Sequence, residues 1–301
     1  MRQSLKRWFL LFAGLQALVG CSLVDEDLTD CETEYQLDYE LQLVTNITTE
    51  LETELSLETD VAVATALRAY LSKVFTDHAH DVDLSFYSVE GEKNRLHHER
   101  HIMDANQTSY TLHIPVNRYL HLGLDNLEEN PSLALVNDQT SPGSRLQQEV
   151  ADTLRPHRLG VFTARSHMDV QEGKDQEFKV SLYMANSAAS LVLDTLGSHV
   201  KDIRVYATGF ATAFDVADSL YRYQYSPVFA ADKVAVDEPG AQMCFATVNF
   251  PSRTDETKAE EQEKTYWEFH VYSTLPSGSI TETKLSVTHP LLPAQLEILK
   301  A

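Results

Sequence analysis

The chain has 301 residues and a formal net charge of −21, from 24 Lys and Arg against 45 Asp and Glu. So acidic a chain is a poor partner for nucleic acid, because neutralising phosphates requires Lys and Arg. Eleven Gly and ten Pro exclude collagen-like and linker-like sequence, and three Cys are too few for a disulfide scaffold. The length favours two folded domains over one.

Residues 1–20 have the pattern of a secretory signal peptide. Arg2, Lys6 and Arg7 form a basic start, and an apolar run follows over residues 8–19. That run is too short for a comfortable transmembrane helix, which disfavours the alternative of an uncleaved anchor helix. It ends in Leu-Val-Gly-Cys at residues 18–21, and this motif resembles a bacterial lipobox.

Lipidation of Cys21 follows from this motif, with diacylglycerol on the thiol and cleavage before Cys21. Residues 1–20 carry three basic and no acidic residues, so their removal changes the net charge from −21 to −24. We therefore expect the lipid alone to hold the protein at the outer membrane, where two or three acyl chains bind stably. Residues 21–34 are predicted to be an acidic tether. Within it, Asp25-Glu26-Asp27 is either a solvated segment or similar to the surface-export signal of Bacteroidales lipoproteins.

Two patterns open the folded part of the chain. Apolar and polar residues alternate over residues 35–43, which is typical of an amphipathic β-strand. Over residues 59–75, apolar side chains recur at helical spacing and Asp60 can cap the N-terminus. These patterns predict a strand followed by a helix.

The remainder of the chain reads as short strands separated by turn signals, a pattern typical of β-sandwiches. Alternation marks the following stretches: 82–86, 110–114, 120–124, 178–182, 203–207, 244–250 and 267–271. Residues 130–145 are rich in Pro, Ser, Asp and Gly and predict a loop or the start of a linker. We therefore predict a mainly β fold of two tandem β-sandwich domains, over residues 35–155 and 156–301, with one helix in the first domain.

The N-terminal motifs resemble a family of fimbrial proteins. Cys21, the acidic residues after it, Cys31 and the first strand at 35–39 are together similar to the opening of FimB-type anchoring subunits of Bacteroidales fimbriae. The stretches 119–126 and 200–210 are similar to later strands of that family. Tyr87-Ser88 departs from it, because the family often has Phe-Asp there.

The resemblance implies a fold and a role. It implies two transthyretin-like β-sandwich domains and a non-enzymatic lipoprotein that attaches the base of a fimbrium (pilus) to the outer membrane and limits its length. The implied partner is the fimbrial stalk subunit, engaged by strand addition. Residues 285–301 either shield the strand-accepting site or form an ordinary last strand with a frayed tail.

Chemical signatures are weak throughout the sequence. His98-Glu99-Arg100-His101 lacks the i, i+4 spacing of the helical zinc motif, which favours solvated loop residues. The run 77–83 is dense in Asp and His but lacks cation-loop spacing, which favours a polar helix exit. No nucleophile elbow, phosphate loop, dinucleotide fingerprint or Cys-x-x-Cys pair is present. The sequence therefore predicts no catalytic residue, no metal site and no cofactor.

Two further features leave alternatives open. Cys31 and Cys244 could form a disulfide in the cell envelope, but they would have to join the tether to the second domain. The sequence favours an exposed Cys31 and a small core residue at Cys244. Three Asp-Thr/Ser-Leu motifs, at 152–154, 194–196 and 218–220, resemble bacterial O-glycosylation signals or arise by chance.

The alternative function is a surface glycan-binding lipoprotein. Such a protein should expose an aromatic platform, and Trp267 is the one Trp outside the signal peptide. Tyr221, Tyr223 and Tyr225 alternate along a predicted strand and could form either an exposed stripe or a core face. An enzyme is the third possibility, with no supporting constellation of residues.

Overall fold

The computed structural model describes residues 35–41, 60–75, 81–102, 109–194, 199–224, 227–237, 242–255 and 265–301. These residues form β-strands, one α-helix and a 3-10 turn at Ser141–Gly143, which confirms the predicted mainly β fold. The first elements are β1 (Tyr35–Leu41), α1 (Val61–Val74), β2 (Asp81–Ser88), β3 (Arg95–Ile102), β4 (Ser109–Leu112), β5 (Asn117–Asp125), β6 (Leu133–Val136), β7 (Arg145–Gln148), β8 (Phe162–Val170) and β9 (Gln176–Met184). The others are β10 (Ser187–Asp194), β11 (Asp202–Thr208), β12 (Ala213–Asp215), β13 (Leu220–Arg222), β14 (Val228–Lys233), β15 (Gln242–Asn249), β16 (Trp267–Thr274), β17 (Ile280–Val287) and β18 (Leu296–Lys300).

Helix α1 forms where the sequence predicts it. The Oδ1 atom of Asp60 accepts a hydrogen bond from the backbone N–H of Ala62 at 2.9 Å, so Asp60 is the predicted N-cap. The buried face consists of apolar residues three or four positions apart: Val63, Ala64, Leu67, Leu71 and Val74.

Sheet 1 has seven strands in the order β3-β2-β5-β8-β9-β1-β4. Only β1 and β9 pair in parallel. Strands β8 and β9 share just two residue pairs, so the sheet divides there into two halves. Val82 and Leu84 of one half and Val180 and Leu182 of the other belong to one buried cluster, as the inner faces of a sandwich do.

Sheet 2 has the order β17-β16-β11-β14-β15-β10-β18 and a similar construction. Strands β14 and β15 share two residue pairs, and this short junction joins two halves. Val205 and Phe269 of one half pack with Leu191 and Phe245 of the other in a second cluster. The sheet is antiparallel except for β18, which pairs in parallel with β10.

Sheet 3 is small and combines distant parts of the chain, in the order β13-β12-β7-β6. Its buried residues Leu133, Leu146 and Phe214 pack with Leu120 and Leu122 of β5 in sheet 1. The two faces of β5 therefore pack against different elements. Leu120 and Leu122 face sheet 3, whereas Tyr119 belongs to the cluster that contains α1. Sheet 1 is covered on both faces here.

The largest core cluster is shared by the two large sheets. It contains the buried face of α1, the inner residues of sheet 1, and Cys244, Leu296 and Ile298 of sheet 2. At the start of α1 the backbone N–H of Asp60 donates to Oε1 of Gln242 at 2.8 Å. The helix predicted for the first domain thus contacts both sheets.

Residues 149–161, between β7 and β8, are fixed by amide side chains. Oδ1 of Asn130 accepts from the backbone N–H groups of Arg158 and Leu159 at 2.7 and 3.1 Å. Asn186 donates to the carbonyl of Leu159 at 3.2 Å and accepts from the N–H of Val161 at 3.3 Å. The predicted join between the domains is therefore an ordered segment.

The structure differs from the sequence prediction at the join between the predicted domains and in the predicted loop. Strands β8 and β9, placed by the sequence in the domain over 156–301, pair within sheet 1. The change from sheet 1 to sheet 2 falls between Met184 and Ser187, later than the predicted boundary after residue 155. The predicted loop over 130–145 is also wrong, since β6 lies within it and pairs with β7. Alternation reports a half-buried strand but not which sheet it joins.

Candidate functional site

The predicted lipidation site and tether, Cys21 and residues 21–34, lie outside the described residues. Acylation of Cys21 therefore stays a prediction. In the described part of the chain, no helix combines the length and the apolar character that crossing a bilayer requires.

Strand β17 is the end strand of sheet 2 and has an outward backbone edge. Among the described strands it pairs only with β16, over its whole length. The N–H of Leu275 donates to the carbonyl of Ser279 at 2.9 Å. Since hydrogen-bonded pairs alternate along an antiparallel ladder, the amides at odd positions of β17 face β16, and those of Ile280, Glu282, Lys284 and Ser286 face outward.

The side chains of β17 are mostly exposed. Seven of its eight residues are exposed or partly exposed, and Ile280 is 56% exposed. Glu282 and Lys284 place opposite charges in mid-strand. Charged residues on an edge strand oppose unspecific pairing with other sheets.

The C-terminal stretch is part of sheet 2. Leu296 and Ile298 of β18 are buried in the largest cluster. The N–H of Ala301 donates to the carbonyl of Val192 at 3.0 Å, and the N–H of Asp194 donates to the carbonyl of Ala301 at 2.8 Å. Of the two alternatives for residues 285–301, the structure agrees with an ordinary last strand, but its end is paired and not frayed.

The histidine-rich segment 98–101 lies on strand β3 rather than in the expected loop. Glu99 contacts the Nε2 atoms of His97 and His101 at 2.5 and 2.8 Å. Burial opposes ionisation of Glu99, but the hydrogen bonds from the two His residues outweigh it and lower the pKa of Glu99. The described residues contain no group of three or more His, Cys, Asp or Glu placed to hold a metal ion. Residues 77–80 lie outside the described ranges.

The tyrosines proposed as an aromatic platform pack against the protein. Tyr221 contacts Phe214 with ring centroids 4.8 Å apart, and its hydroxyl donates to the carbonyl of Ala185 at 2.8 Å. The hydroxyl of Tyr223 donates to the carbonyl of Ser252 at 2.8 Å. Both rings pack against the cluster beneath sheet 3, so they form a core face. Tyr225 lies outside the described residues.

Cys244 is a free thiol in the shared core, as the sequence favours. It is fully buried, and burial raises its pKa to about 12. Such a thiol is a packing residue rather than a nucleophile. Cys31 lies outside the described residues.

Two buried histidines are held neutral. Burial lowers the pKa of His121 to about 4 and that of His157 to about 3. His121 donates through Nδ1–H to the carbonyl of Ser85 at 3.1 Å and stacks on Phe86. Both rings are buried, so both serve the packing.

A buried carboxyl group lies close to the end of β5. Burial raises the pKa of Asp125 well above its ordinary value, and the nearby Asp81 adds to the rise. Within the described residues, neither carboxyl oxygen of Asp125 has a hydrogen-bond partner.

The hydroxyl-bearing residues of two predicted glycosylation motifs, Thr153 and Ser219, are exposed. Their modification stays a prediction.

Comparison with known proteins finds solved structures with a similar fold. No family model matches the chain, and no curated protein matches it. A "putative adhesin" from Bacteroides ovatus is similar with a TM-score of 0.56 and 9% identity, covering 93% of this chain and 96% of that one. A structure described as "putative polysaccharide binding proteins" from Bacteroides thetaiotaomicron gives a TM-score of 0.53 and 10% identity, covering 89% and 91%. The fimbrial anchor protein Mfa2 from Porphyromonas gingivalis gives 0.51 and 10%, covering 86% and 83%.

The similarity extends over most of each chain, while identity stays near one residue in ten. It therefore shows a shared fold. The predicted resemblance to fimbrial anchoring subunits is confirmed at this level, since a fimbrial anchor protein is among the similar structures. None of these three proteins is described as an enzyme.

Proposed function

We propose that this chain is the anchoring subunit of a fimbrium, a lipoprotein that attaches the base of the fimbrium to the outer membrane. The observation that carries the proposal is the similarity in fold to a fimbrial anchor protein over most of both chains. The lipobox at Cys21 supports the same role from the sequence, because an anchor needs a membrane attachment. The role is structural and non-enzymatic.

Attachment depends on the lipid. The mature chain carries a net charge of −24, which opposes binding to anionic headgroups. Two or three acyl chains on Cys21 hold a protein stably, since each buried methylene contributes about 0.8 kcal/mol. The acidic tether 21–34 then links the membrane to the sandwiches.

The stalk subunit binds by strand addition at the outward edge of β17. Backbone N–H and C=O groups at alternate residues of this strand face away from β16, which gives an added strand its hydrogen-bond partners. The exposed Ile280 offers an apolar contact at one end of the strand. An anchor that accepts one stalk subunit and is fixed to lipid ends the fimbrium at its base, which limits its length.

The experiment that tests the proposal is a Cys21→Ala substitution in the fimbriated bacterium, with Cys31→Ala as the matched control. The Cys21→Ala strain should lose fatty-acid label on the protein and release fimbriae into the medium. The control strain should keep both label and cell-bound fimbriae. Cell-bound fimbriae of normal length in a Cys21→Ala strain would contradict the anchoring role.

The alternative, a surface glycan-binding lipoprotein, loses the aromatic stripe on which it depended. Tyr221 and Tyr223 are packed and hydrogen-bonded. We therefore keep anchoring as the main role. A sugar-binding surface elsewhere on the chain is compatible with it.

A further inference from the structure

The outer face of sheet 2 carries a groove of about 500 Å³ that anchoring does not use. Outward side chains of β11, β16 and β17 form its floor, and Thr153 and Val228 lie at its side. The inward neighbours on the same strands, such as Val205 and Val271, are buried in the sandwich core. The groove therefore belongs to the solvent side of a rigid sheet.

Two tyrosine rings form the apolar part of the groove. Tyr206 on β11 and Tyr272 on β16 lie in an edge-to-face arrangement, with ring centroids 5.7 Å apart and planes at 74°. Both are only partly buried and neither belongs to a core cluster. Since aromatic rings are normally buried or paired with a partner surface, this pair offers area for a ligand.

The polar part of the groove is fixed by hydrogen bonds. Oε1 of Glu282 accepts from the hydroxyl of Tyr272 at 2.9 Å and contacts Nδ1 of His270 at 2.9 Å. The hydrogen bonds from His270 and Tyr272 lower the pKa of Glu282, which keeps this carboxylate ionised. On its other side His270 contacts Glu268 at 3.3 Å. Glu282 is thus a positioned acceptor beside an aromatic ring.

Two cations flank the tyrosines. Arg204 has Asp202 as an ion-pair partner at 3.9 Å, a long and solvent-exposed contact. Lys284 has no ion-pair partner among the described residues. Both groups line the groove, and an Arg guanidinium can bind a carboxylate through two parallel hydrogen bonds. The groove therefore presents two cationic side chains next to carboxylates, since Asp202 pairs with Arg204 and Lys284 contributes to the lowered pKa of Glu282.

We propose that this groove binds an acidic carbohydrate, a pyranose chain that carries carboxylate groups. A sugar ring has an apolar C–H face and a polar rim, which matches an aromatic pair bordered by fixed hydrogen-bonding groups. A sugar ring stacks on one of the two tyrosines, whose planes lie at 74° to each other, a hydroxyl donates to Glu282, and carboxylates along the chain bind Arg204 and Lys284.

Other occupants fit less well. A peptide added as a strand needs free backbone groups, which lie on the edge of β17 and not on this face. A nucleic acid needs several Lys and Arg side chains to neutralise its phosphates, whereas Arg204 and Lys284 are the Lys and Arg side chains that line this groove. The carbohydrate proposal is independent of the anchoring role, since the groove lies on the face of the sheet.

The test is isothermal titration of residues 22–301 with short oligogalacturonides and, separately, with neutral galacto-oligosaccharides of the same length. We expect binding of the acidic series, with affinity lowered about tenfold or more by Tyr206→Ala or Tyr272→Ala. Arg204→Gln together with Lys284→Gln should abolish the preference for the acidic series. The matched control is Tyr183→Ala, because Tyr183 is a 58% exposed tyrosine on sheet 1.

The side chains tested are on the surface, so the variants should fold; the unfolding midpoint followed by Trp267 fluorescence checks this for each one. Absence of binding by the wild type to both series overturns the proposal. Unchanged affinity in the two tyrosine variants also overturns it. Equal affinity for the acidic and neutral series overturns the role assigned to Arg204 and Lys284.

Discussion

His157 shows how one buried side chain makes stability depend on pH. Its Nε2 lies 3.0 Å from Oε1 of Gln148, and the amide nitrogen of Gln148 donates to the carbonyl of Arg155. Oε1 of Gln148 therefore faces the ring, and Nε2 carries the proton. Nδ1 accepts from the amide of Asn186 at 3.4 Å. Hydrogen bonds from both sides select the neutral form, and burial lowers the pKa to about 3.

The sign of the effect follows from proton binding. Between the unfolded pKa of 6.5 and the folded value of about 3, the unfolded chain binds more protons at this residue than the folded chain does. The contribution of His157 to stability is therefore complete above pH 6.5 and is lost as the pH falls. Asp81 and Asp125 act oppositely, since burial raises their pKa values and their contribution declines as the pH rises above 3.8.

A His157→Gln variant should separate this histidine from the other groups. We expect the wild type to lose about 3 kcal/mol more than the variant, in free energy of unfolding, between pH 7 and pH 4. The variant itself is destabilised at pH 7, because it loses the ring contact with Phe250. Urea unfolding at several pH values measures both effects. His199→Gln, at an exposed position, is the control, and equal slopes in all three proteins would contradict the argument.

At the scale of elements, β17 combines a complete ladder on one side with outward backbone groups on the other. Pro removes an N–H and is tolerated at edge positions whose amide faces solvent. Ser286 is such a position, since the paired amides of β17 are those at odd residues. Replacing Ser286 by Pro can therefore block an added strand without breaking the pairing of β17 with β16.

We expect Ser286→Pro to fold and reach the membrane but to release fimbriae into the medium. Ser286→Ala, which keeps the outward N–H, should retain cell-bound fimbriae. Electron microscopy of cells and culture medium measures the outcome, and near-ultraviolet circular dichroism of the purified variant checks its fold. Cell-bound fimbriae in the Ser286→Pro strain would exclude strand addition at β17 and leave the lipid anchor intact.

Elements with a regular local pattern could be predicted from the sequence. The helix at Val61–Val74 and its cap at Asp60 follow from local spacing and a local hydrogen bond. Strand β9 was also recognised, but its partner β1 lies far away along the chain and pairs with it in parallel. Nothing local in Phe178, Val180 or Leu182 specifies that partner, so the sequence pattern predicts the strand but not the sheet to which it belongs.

The candidate surfaces were predictable to a smaller extent. Tyr221 and Tyr223 alternate on one stretch of sequence, a pattern compatible with an exposed stripe or a core face, and in the structure they pack on a core. Tyr206 and Tyr272 belong to separate strands and meet only because β11 pairs with β16. An aromatic pair formed by residues of two different strands gives no periodic pattern in the sequence of either strand.

On the scale of the whole molecule, the two large sheets share one core. Residues of sheet 1, helix α1 and strands β10, β15 and β18 belong to the same buried cluster. The connecting segment is held by Asn130, whose side chain accepts from two backbone N–H groups. Independent unfolding of two domains would expose this cluster, so the free energy favours a single cooperative transition.

We expect residues 22–301 to unfold in one step, with the same urea midpoint by Trp267 fluorescence and by far-ultraviolet circular dichroism. Trp267 is in sheet 2 and is the sole Trp of residues 22–301, so its fluorescence reports on sheet 2. Asn130→Ala removes the acceptor of two amides and should cost about 2–5 kcal/mol. It should lower both midpoints together, whereas the exposed Asn117→Ala should lower neither. A midpoint by Trp267 that stays unchanged in Asn130→Ala would show that the sheets unfold separately.

Cys244 lies in this shared cluster, with no exposed surface and a thiol that burial keeps protonated. An alkylating reagent reaches its sulfur only when the cluster opens, and it reacts with the thiolate. The alkylation rate of Cys244 in a folded sample therefore measures how often the core shared by the two sheets opens. In the proposed anchoring role the protein bears tension between a membrane and a filament, and the alkylation rate of Cys244 then measures how often this shared core opens under that load.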